Sequence, residues 1–217
     1  PLRHAVRPSQ YDEISNLYTA TVYEKGAELI RMLHTMIGDT AFRAGMDLYF
    51  DRHDGDAATM EEFLACFPVP AADTFFRWYQ EPGSPKVEVE ETTDDTGTGV
   101  TLRQVPPPGG SAKPIPVRVA MWTDDGKQTP FVVEGTSPSG DVVILGADPV
   151  TITAKGASVA SLLRGFSAPV IIARPDNLER DLKLLAVEDD AFSAWDAAHR
   201  LAIAAMPAAY STGAPDA

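Results

Sequence analysis

Few residue types in this chain have the spacing of a catalytic or metal-binding site. The four histidines are His4, His34, His53 and His199, and no two are four residues apart, the spacing of a His-Glu-x-x-His zinc helix. The single cysteine, Cys66, has no positively charged sequence neighbour that would activate its thiol. By spacing alone, the sequence indicates neither a metal site nor a thiol nucleophile.

Tyr23 is the residue that remains as a candidate for chemistry. It lies in the stretch TATVYEKGAELIRMLHTMIG, residues 19–38, and a phenol can donate a hydrogen bond to an oxygen that gains negative charge. By spacing alone, the alternative is a tyrosine at the edge of the core, next to the apolar stripe that begins at Val22. A glycine inside a helix lowers helix stability by about 1 kcal/mol relative to alanine. We therefore interpret Gly26 as a position that another backbone or a substrate approaches closely.

The elements that position Tyr23 are predicted to be helical through residue 84. A first helix ends at Gly38, a residue type favoured just past helix ends, and Asp39 can cap a second helix that stops near residue 53. Two residue pairs have the spacing of capping boxes, which mark helix starts: Thr21 with Glu24, and Thr59 with Glu62. We therefore expect several short helices before Pro85.

After Pro85 the hydrophobic pattern changes from helical to alternating. We predict strands at residues 86–90, 99–103, 115–122, 130–133, 141–145, 150–153 and 169–173. No helical pattern separates them, which favours an antiparallel β-sandwich over a parallel sheet. Helical periodicity returns after Asp176, through Leu178, Leu182 and Leu185. The prediction is an α+β chain: a helical part over residues 1–84, a sandwich over 85–175 and helices over 176–217.

Composition narrows the range of partners. The chain has 217 residues, 44% of them hydrophobic, and a formal net charge of -13. That charge argues against nucleic acid or an anionic membrane surface as partner, and no apolar run reaches the ~18 residues that span a bilayer. A single cysteine excludes an intrachain disulfide and favours a cytoplasmic location. The chain begins at Pro1 without a signal-peptide pattern, and we expect it to be a piece of a longer protein.

Three runs of residues carry a resemblance to a known family. The run SNLYTATVYEKGAE at residues 15–28, with IRMLH at 30–34 and YFDRHDG at 49–55, resembles the bacterial aminopeptidase N (alanyl aminopeptidase) branch of the gluzincin zinc metallopeptidases. The Tyr-Glu-Lys-Gly core is its most specific part. The resemblance extends through RWY at 77–79, FSAPV at 166–170 and FSAWDAA at 192–198, so it covers nearly the whole chain.

The resemblance implies an architecture and a role for two tyrosines. In such enzymes a thermolysin-like catalytic domain is followed by a small β-sandwich and a large helical domain. The chain would hold the helical end of the catalytic domain, the sandwich and the first helices of the last domain. Tyr23 matches the tyrosine that donates a hydrogen bond to the oxyanion of the tetrahedral intermediate. Tyr18 matches a substrate-binding residue near the cleft, and Glu24 and Lys25 match helix-cap and surface positions.

The resemblance also implies what the chain lacks. The family's His-Glu-x-x-His helix, its third zinc-ligand glutamate and its Gly-x-Met-Glu-Asn motif do not occur in these 217 residues. We therefore expect zinc and peptide substrates to belong to a full-length parent protein, with no metal ligand in this chain and no activity of the chain alone. Apolar surface on a truncated catalytic domain would favour self-association. The alternative is a non-enzymatic interaction module in which the sandwich carries the function.

Overall fold

The computed structural model describes residues 4–10, 13–135 and 138–212. Helices dominate residues 14–80, strands follow over residues 86–173, and two further helices end the described chain, which confirms the α+β class. The long helix α1, Gly26–His53, is preceded by a π-helical turn, Thr21–Lys25. Three short helices complete this part: α2, Met60–Leu64; α3, Ala72–Phe75; and α4, Arg77–Gln80.

Gly38 divides α1 into the two predicted helices. Its φ of +79° lies in the left-handed region, which glycine adopts without steric cost, and the helix bends there. The predicted capping box of Thr59 and Glu62 is confirmed, because both reciprocal hydrogen bonds form. The Thr21–Glu24 capping box is wrong. Thr21 is buried inside the π-helical turn, which has no side-chain cap at its N-cap residue.

In the described part of the chain, nine strands form two sheets that enclose a shared core. The first sheet has the order β5-β7-β2-β1-β9, and in the second β3 pairs with β4, β6 and β8. Apolar residues from the facing sheets pack together in the core, including Val87, Leu102, Val117 and Leu145. The strands are β1, Lys86–Asp94; β2, Gly97–Val105; β3, Ile115–Trp122; β4, Gln128–Thr129; β5, Val132–Val133; β6, Val142–Leu145; β7, Val150–Lys155; β8, Val159–Leu162; and β9, Ile171–Ala173.

The prediction of a purely antiparallel sandwich is wrong at one edge. Strand β9 runs parallel to β1, with Lys86 opposite Ile171. It does so because the chain leaves β8 in the second sheet, passes through the 3₁₀ turn Arg164–Phe166 and enters the first sheet beside β1 in the same direction. Strand β8 was not predicted, since Val-Ala-Ser-Leu contains a single β-branched residue.

The helical part and the sandwich share one core. Trp78 and Tyr79 of α4 are buried with Leu29 and Leu33 of α1 against the sandwich residues. The Trp78 indole Nε1 donates to the Pro114 carbonyl at 3.0 Å, which joins α4 to the segment before β3. The helix that begins beside Tyr23 is therefore held by the sandwich.

The first of the last two helices buries a charged face. Helix α5, Leu178–Val187, is capped by Asn177, and α6 spans Ala191–Thr212. The three leucines that set the apolar period of α5 are 45–58% exposed: Leu178, Leu182 and Leu185. The inner face instead carries Arg180, Asp181 and Leu184. Among the described helices, none combines the length and apolar composition needed to cross a bilayer.

Candidate active site

Tyr23 lies on the exposed face of the π-helical turn. Thr21 and Lys25 of the same turn are buried, at 1% and 6% exposure, whereas Tyr23 is 59% exposed. Its N–H donates to the Thr19 carbonyl at 3.1 Å, and the Val22 N–H donates to Thr19 Oγ1 at 3.3 Å, so Thr19 supplies the cap predicted for Thr21. Single π-helical turns occur frequently at functional sites. This turn presents the phenol to solvent.

Tyr18 lies beside Tyr23, so the structure brings the two predicted site residues together. Tyr18 follows the 3₁₀ turn Ile14–Leu17 and is 66% exposed. Its ring stacks on the Tyr23 ring with centroids 6.1 Å apart and an interplanar angle of 23°. Offset stacking at such a distance is favourable. The two rings form one exposed aromatic surface, which we call the tyrosine pair.

Lys25 anchors the turn that carries Tyr23, which corrects its expected surface position. Its Nζ donates to the Gly83 carbonyl at 2.7 Å and lies 5.9 Å from the Trp78 ring centroid. Burial, with the positive charge of Lys113, lowers the pKa of Lys25 to about 8. Sequence analysis missed this role, although the four-residue spacing from Thr21 could have shown that the two residues share a helix face.

A second lysine, Lys113, also lies beside the Trp78 ring. Lys113 is 2% exposed, and its Nζ forms an ion pair with Glu81 Oε2 at 2.5 Å while lying 5.7 Å from the Trp78 centroid. Burial would raise the pKa of the Glu81 carboxyl, but hydrogen bonds from Lys113 and the Ser111 N–H lower it below its usual value. Glu81 thereby fixes the segment that leads to Gly83, the acceptor of Lys25.

The close approach of another backbone predicted at Gly26 is wrong within the described residues, and that of a substrate stays a prediction. A Cβ at this position would lie 3.6 Å from Val6 Cγ1, an ordinary van der Waals contact, and would meet no backbone atom within 4 Å. Gly45, further along α1, is the tightly packed glycine. A Cβ there would lie 2.2 Å from Phe67 Cδ1.

Arg31 ties α1 to a loop of the sandwich. Its Nη1 donates to the Gly165 carbonyl at 2.7 Å and its Nη2 donates to the Phe166 carbonyl. The guanidinium also lies 5.7 Å from the Phe166 ring centroid. Gly165 and Phe166 have φ values of +63° and +51°, and this left-handed backbone lets both carbonyls meet one side chain. Sequence analysis gave no signal for this contact.

The described residues do not fit a zinc site. They contain no group of three or more His, Cys, Asp or Glu side chains that could hold a metal ion. The histidines are engaged separately. His34 Nε2 pairs with Asp39 Oδ1 at 2.7 Å, and the His199 ring stacks on Trp195.

The comparisons with known proteins agree on a family. The model of the peptidase family M1 domain matches residues 1–74. Aminopeptidase N of Caulobacter vibrioides is 39% identical over 100% of this chain and 26% of its own length. Aminopeptidase N of Escherichia coli is 35% identical over 93% of the chain and 24% of its own length.

A solved structure matches the same region of the chain. Aminopeptidase A of Legionella pneumophila, in complex with aspartic acid, superposes with a TM-score of 0.75 and 26% sequence identity. The match covers 91% of this chain and 23% of that one. The chain thus spans about a quarter of the length of the relatives it matches. Together, the family match at residues 1–74 and the similarity along the rest of the chain show that the chain belongs to the M1 peptidase family and is a relative of the bacterial aminopeptidases N.

Proposed function

We propose that this chain is part of a zinc-dependent aminopeptidase that hydrolyses N-terminal residues from peptides. The observation that carries the proposal is the exposed Tyr23 phenol, held on a π-helical turn within the segment that matches the M1 peptidase domain. Within the described residues, the phenol makes no hydrogen bond, so its O–H is available to a substrate. We assign Tyr23 as the residue that donates to the oxyanion.

Other residues of the chain hold the turn that carries this hydrogen-bond donor. Lys25 and the buried Thr21 fix the turn, so Tyr23 needs little reorganisation when charge develops on a substrate oxygen. A fixed donor of this kind stabilises the transition state more than the ground state. Tyr18 offers its ring beside the phenol, and we propose that it contacts the bound peptide.

In this proposal, the residues that bind zinc lie outside this chain. The side chains in the described part offer no ligand set, so no chemical step is assigned to a metal here. When bound to the full-length protein, zinc would supply Lewis-acid chemistry. We propose the domain limits 1–84 for the end of the catalytic domain, 85–175 for the sandwich and 176–217 for the start of a helical domain.

Location and partners follow from charge and composition. The net charge of -13 opposes binding to nucleic acid or to an anionic membrane surface, and the single Cys66 suits a reducing compartment. We therefore propose a cytoplasmic enzyme with peptide substrates. The non-enzymatic sandwich module remains the alternative, and no contact in the described residues favours it.

The test compares the full-length protein that contains this chain with the chain alone. Both are dialysed, their zinc is measured, and each is assayed with alanine p-nitroanilide. We expect about one zinc per full-length molecule with aminopeptidase activity, and neither property in the chain alone. A zinc-free, inactive full-length protein would support the interaction-module alternative, and stoichiometric zinc on the isolated chain would contradict the assignment of the ligands to residues outside it.

A further inference from the structure

A loop of the sandwich, residues 106–114 between β2 and β3, packs against the segment that holds the Tyr23 turn. Gly83, whose carbonyl accepts the Lys25 hydrogen bond, has a left-handed φ of +83°. A Cβ at this glycine would lie 2.8 Å from Pro107 Cβ of the loop. The loop is therefore in direct contact with the backbone that anchors Lys25.

Lys113 is the buried charge of this loop, and it is held on both sides. Gln104 of β2 clamps its backbone: Nε2 donates to the Lys113 carbonyl at 2.7 Å, and Oε1 accepts from the Lys113 N–H at 2.8 Å. The Lys113 ammonium pairs with Glu81 Oε2 at 2.5 Å, and the same oxygen accepts from the Ser111 N–H at 2.9 Å. The residue two positions before Gly83 is thus fixed to the loop at two points.

The loop also holds the tryptophan on which both buried lysines lie. Trp78 is 0% exposed, and its Nε1 donates to the Pro114 carbonyl at 3.0 Å. The Nζ atoms of Lys113 and Lys25 lie 5.7 and 5.9 Å from its ring centroid. Because protein interiors are closely packed and transmit strain, a displacement of this ring changes the surroundings of Lys25.

We propose that the loop of residues 106–114 positions Tyr23, with Lys113 as its positioning residue. The loop acts by fixing the Trp78 ring and the Gly83 carbonyl, the two groups that hold the Lys25 ammonium. This inference rests on the proposed role of Tyr23 as the oxyanion donor. It gives the sandwich a part in the reaction, since misplacing a catalytic group by about 1 Å can lower the rate roughly 100-fold.

The test compares Lys113→Met with Arg118→Met in the full-length protein. Each variant removes one positive charge from the sandwich, but Arg118 pairs with Asp141 next to β6. Amide hydrogen exchange of the peptide covering residues 19–25 is followed by mass spectrometry, and kcat, KM and zinc content are measured. We expect Lys113→Met to speed this exchange at least about fivefold and to lower kcat at least about tenfold, with KM and zinc nearly unchanged. Arg118→Met should change none of these values.

The outcomes separate this inference from the proposed function. Unchanged exchange at residues 19–25 in Lys113→Met would overturn the inference, and so would an equal response in Arg118→Met. A parental kcat in Lys113→Met would also overturn it if Tyr23→Phe loses activity. If Tyr23→Phe keeps its kcat, the proposed function fails, and the exchange result alone decides whether the loop positions the turn.

A pair of glycine variants tests the loop even if Lys113→Met does not fold. Gly83→Ala and Gly55→Ala both place alanine at a left-handed φ, +83° and +82°, so their backbone strain is similar. Among the described residues, only the methyl at position 83 would overlap a neighbour, Pro107, and displace the carbonyl. We expect faster exchange at residues 19–25 and a lower kcat in Gly83→Ala alone. The same exchange and kcat in both variants would contradict the proposal.

Discussion

The ring of Tyr18 stacks on the ring of Tyr23, with centroids 6.1 Å apart, while both residues remain more than half exposed. A tyrosine at the edge of a core would bury most of its ring. The tyrosine pair contacts solvent instead and is fixed from behind by the buried Thr21 and Lys25. We propose a binding or catalytic role for this exposed pair.

The two helical glycines of α1 are expected to respond in opposite ways to alanine. Gly26→Ala should raise the free energy of unfolding by about 0.5–1 kcal/mol, because alanine favours the helix and the new methyl meets only Val6 at 3.6 Å. Gly45→Ala should lower it by about 1–3 kcal/mol, because its methyl would overlap the Phe67 ring. Urea unfolding of the chain measures both. A destabilised Gly26→Ala variant would contradict the open surroundings of Gly26 in the structure.

Lys25 is expected to give the chain an unusual alkaline pH dependence. Its pKa is lowered to about 8 in the folded state from 10.5. Between these values the folded chain has released a proton that the unfolded chain retains, so this residue's contribution makes stability rise with pH. Burial raises the pKa of Tyr79, which has the opposite effect above about pH 10.

The measurement is the unfolding free energy at several pH values from 7.5 to 9.5, for the parent chain and for Lys25→Met. The difference between the two should change with pH, with the parent gaining relative to the variant as pH rises. A difference that stays constant across this range would contradict the conclusion that burial destabilises the charged form of Lys25.

The pair between Glu91 and Arg174 is expected to be far more important to stability than a surface pair. Arg174 is 3% exposed at its side chain, and its Nη2 lies 2.7 Å from both Glu91 oxygens. Glu91→Gln leaves a buried guanidinium poorly compensated and should cost about 3–5 kcal/mol. Asp47→Asn, which breaks the exposed pair with Arg43, should cost no more than about 0.5 kcal/mol. Similar losses in urea unfolding of the two variants would show that the buried pair is not special.

Self-association of the isolated chain is a further expectation. Several large apolar residues of the first 84 are more than half exposed: Ile14, Tyr18, Tyr23 and Phe50. Sedimentation velocity at increasing concentration should show a dimer, and Phe50→Ser should weaken it. Leu182→Ser removes an exposed leucine of α5 and should have no effect. A monomer at all concentrations, or a dimer lost only in Leu182→Ser, would contradict association through the helical N-terminal part.

The sequence predicted secondary-structure elements better than it predicted tertiary contacts. The bend at Gly38 and the capping box at Thr59 depend on local residue preferences and were predicted correctly. The parallel pairing of β9 with β1 depends on where the chain crosses between sheets, which no local pattern encodes. Strand β8 is buried by its partner β3 despite weak strand propensity.

In the candidate site, too, residues recognised from a local run were predicted, whereas residues with distant partners were not. Tyr23 could be singled out from a local run of residues, and the neighbouring Tyr18 from the same run. The buried Lys25 and the anchor Arg31 could not, since their partners Gly83 and Gly165 lie 58 and 134 residues further along the chain. Charged residues at such positions resemble ordinary surface residues until the partner is known.

The role of Tyr18 can be separated from that of Tyr23 by kinetics of the full-length protein. Tyr18→Ala removes an aromatic surface that we propose to contact the peptide, and it should raise KM with little change in kcat. A fall in kcat at unchanged KM would assign Tyr18 to the chemical step instead.

The central claim is tested most directly by the kcat of Tyr23→Phe in the full-length protein with alanine p-nitroanilide. This variant removes one hydroxyl and keeps the ring that stacks on Tyr18. Loss of the oxyanion donor should lower kcat roughly 100- to 1000-fold, equivalent to about 2.7–4 kcal/mol, with KM and zinc content nearly unchanged. A kcat within about threefold of the parent, with zinc intact, would contradict the account and show that the Tyr23 phenol takes no part in catalysis.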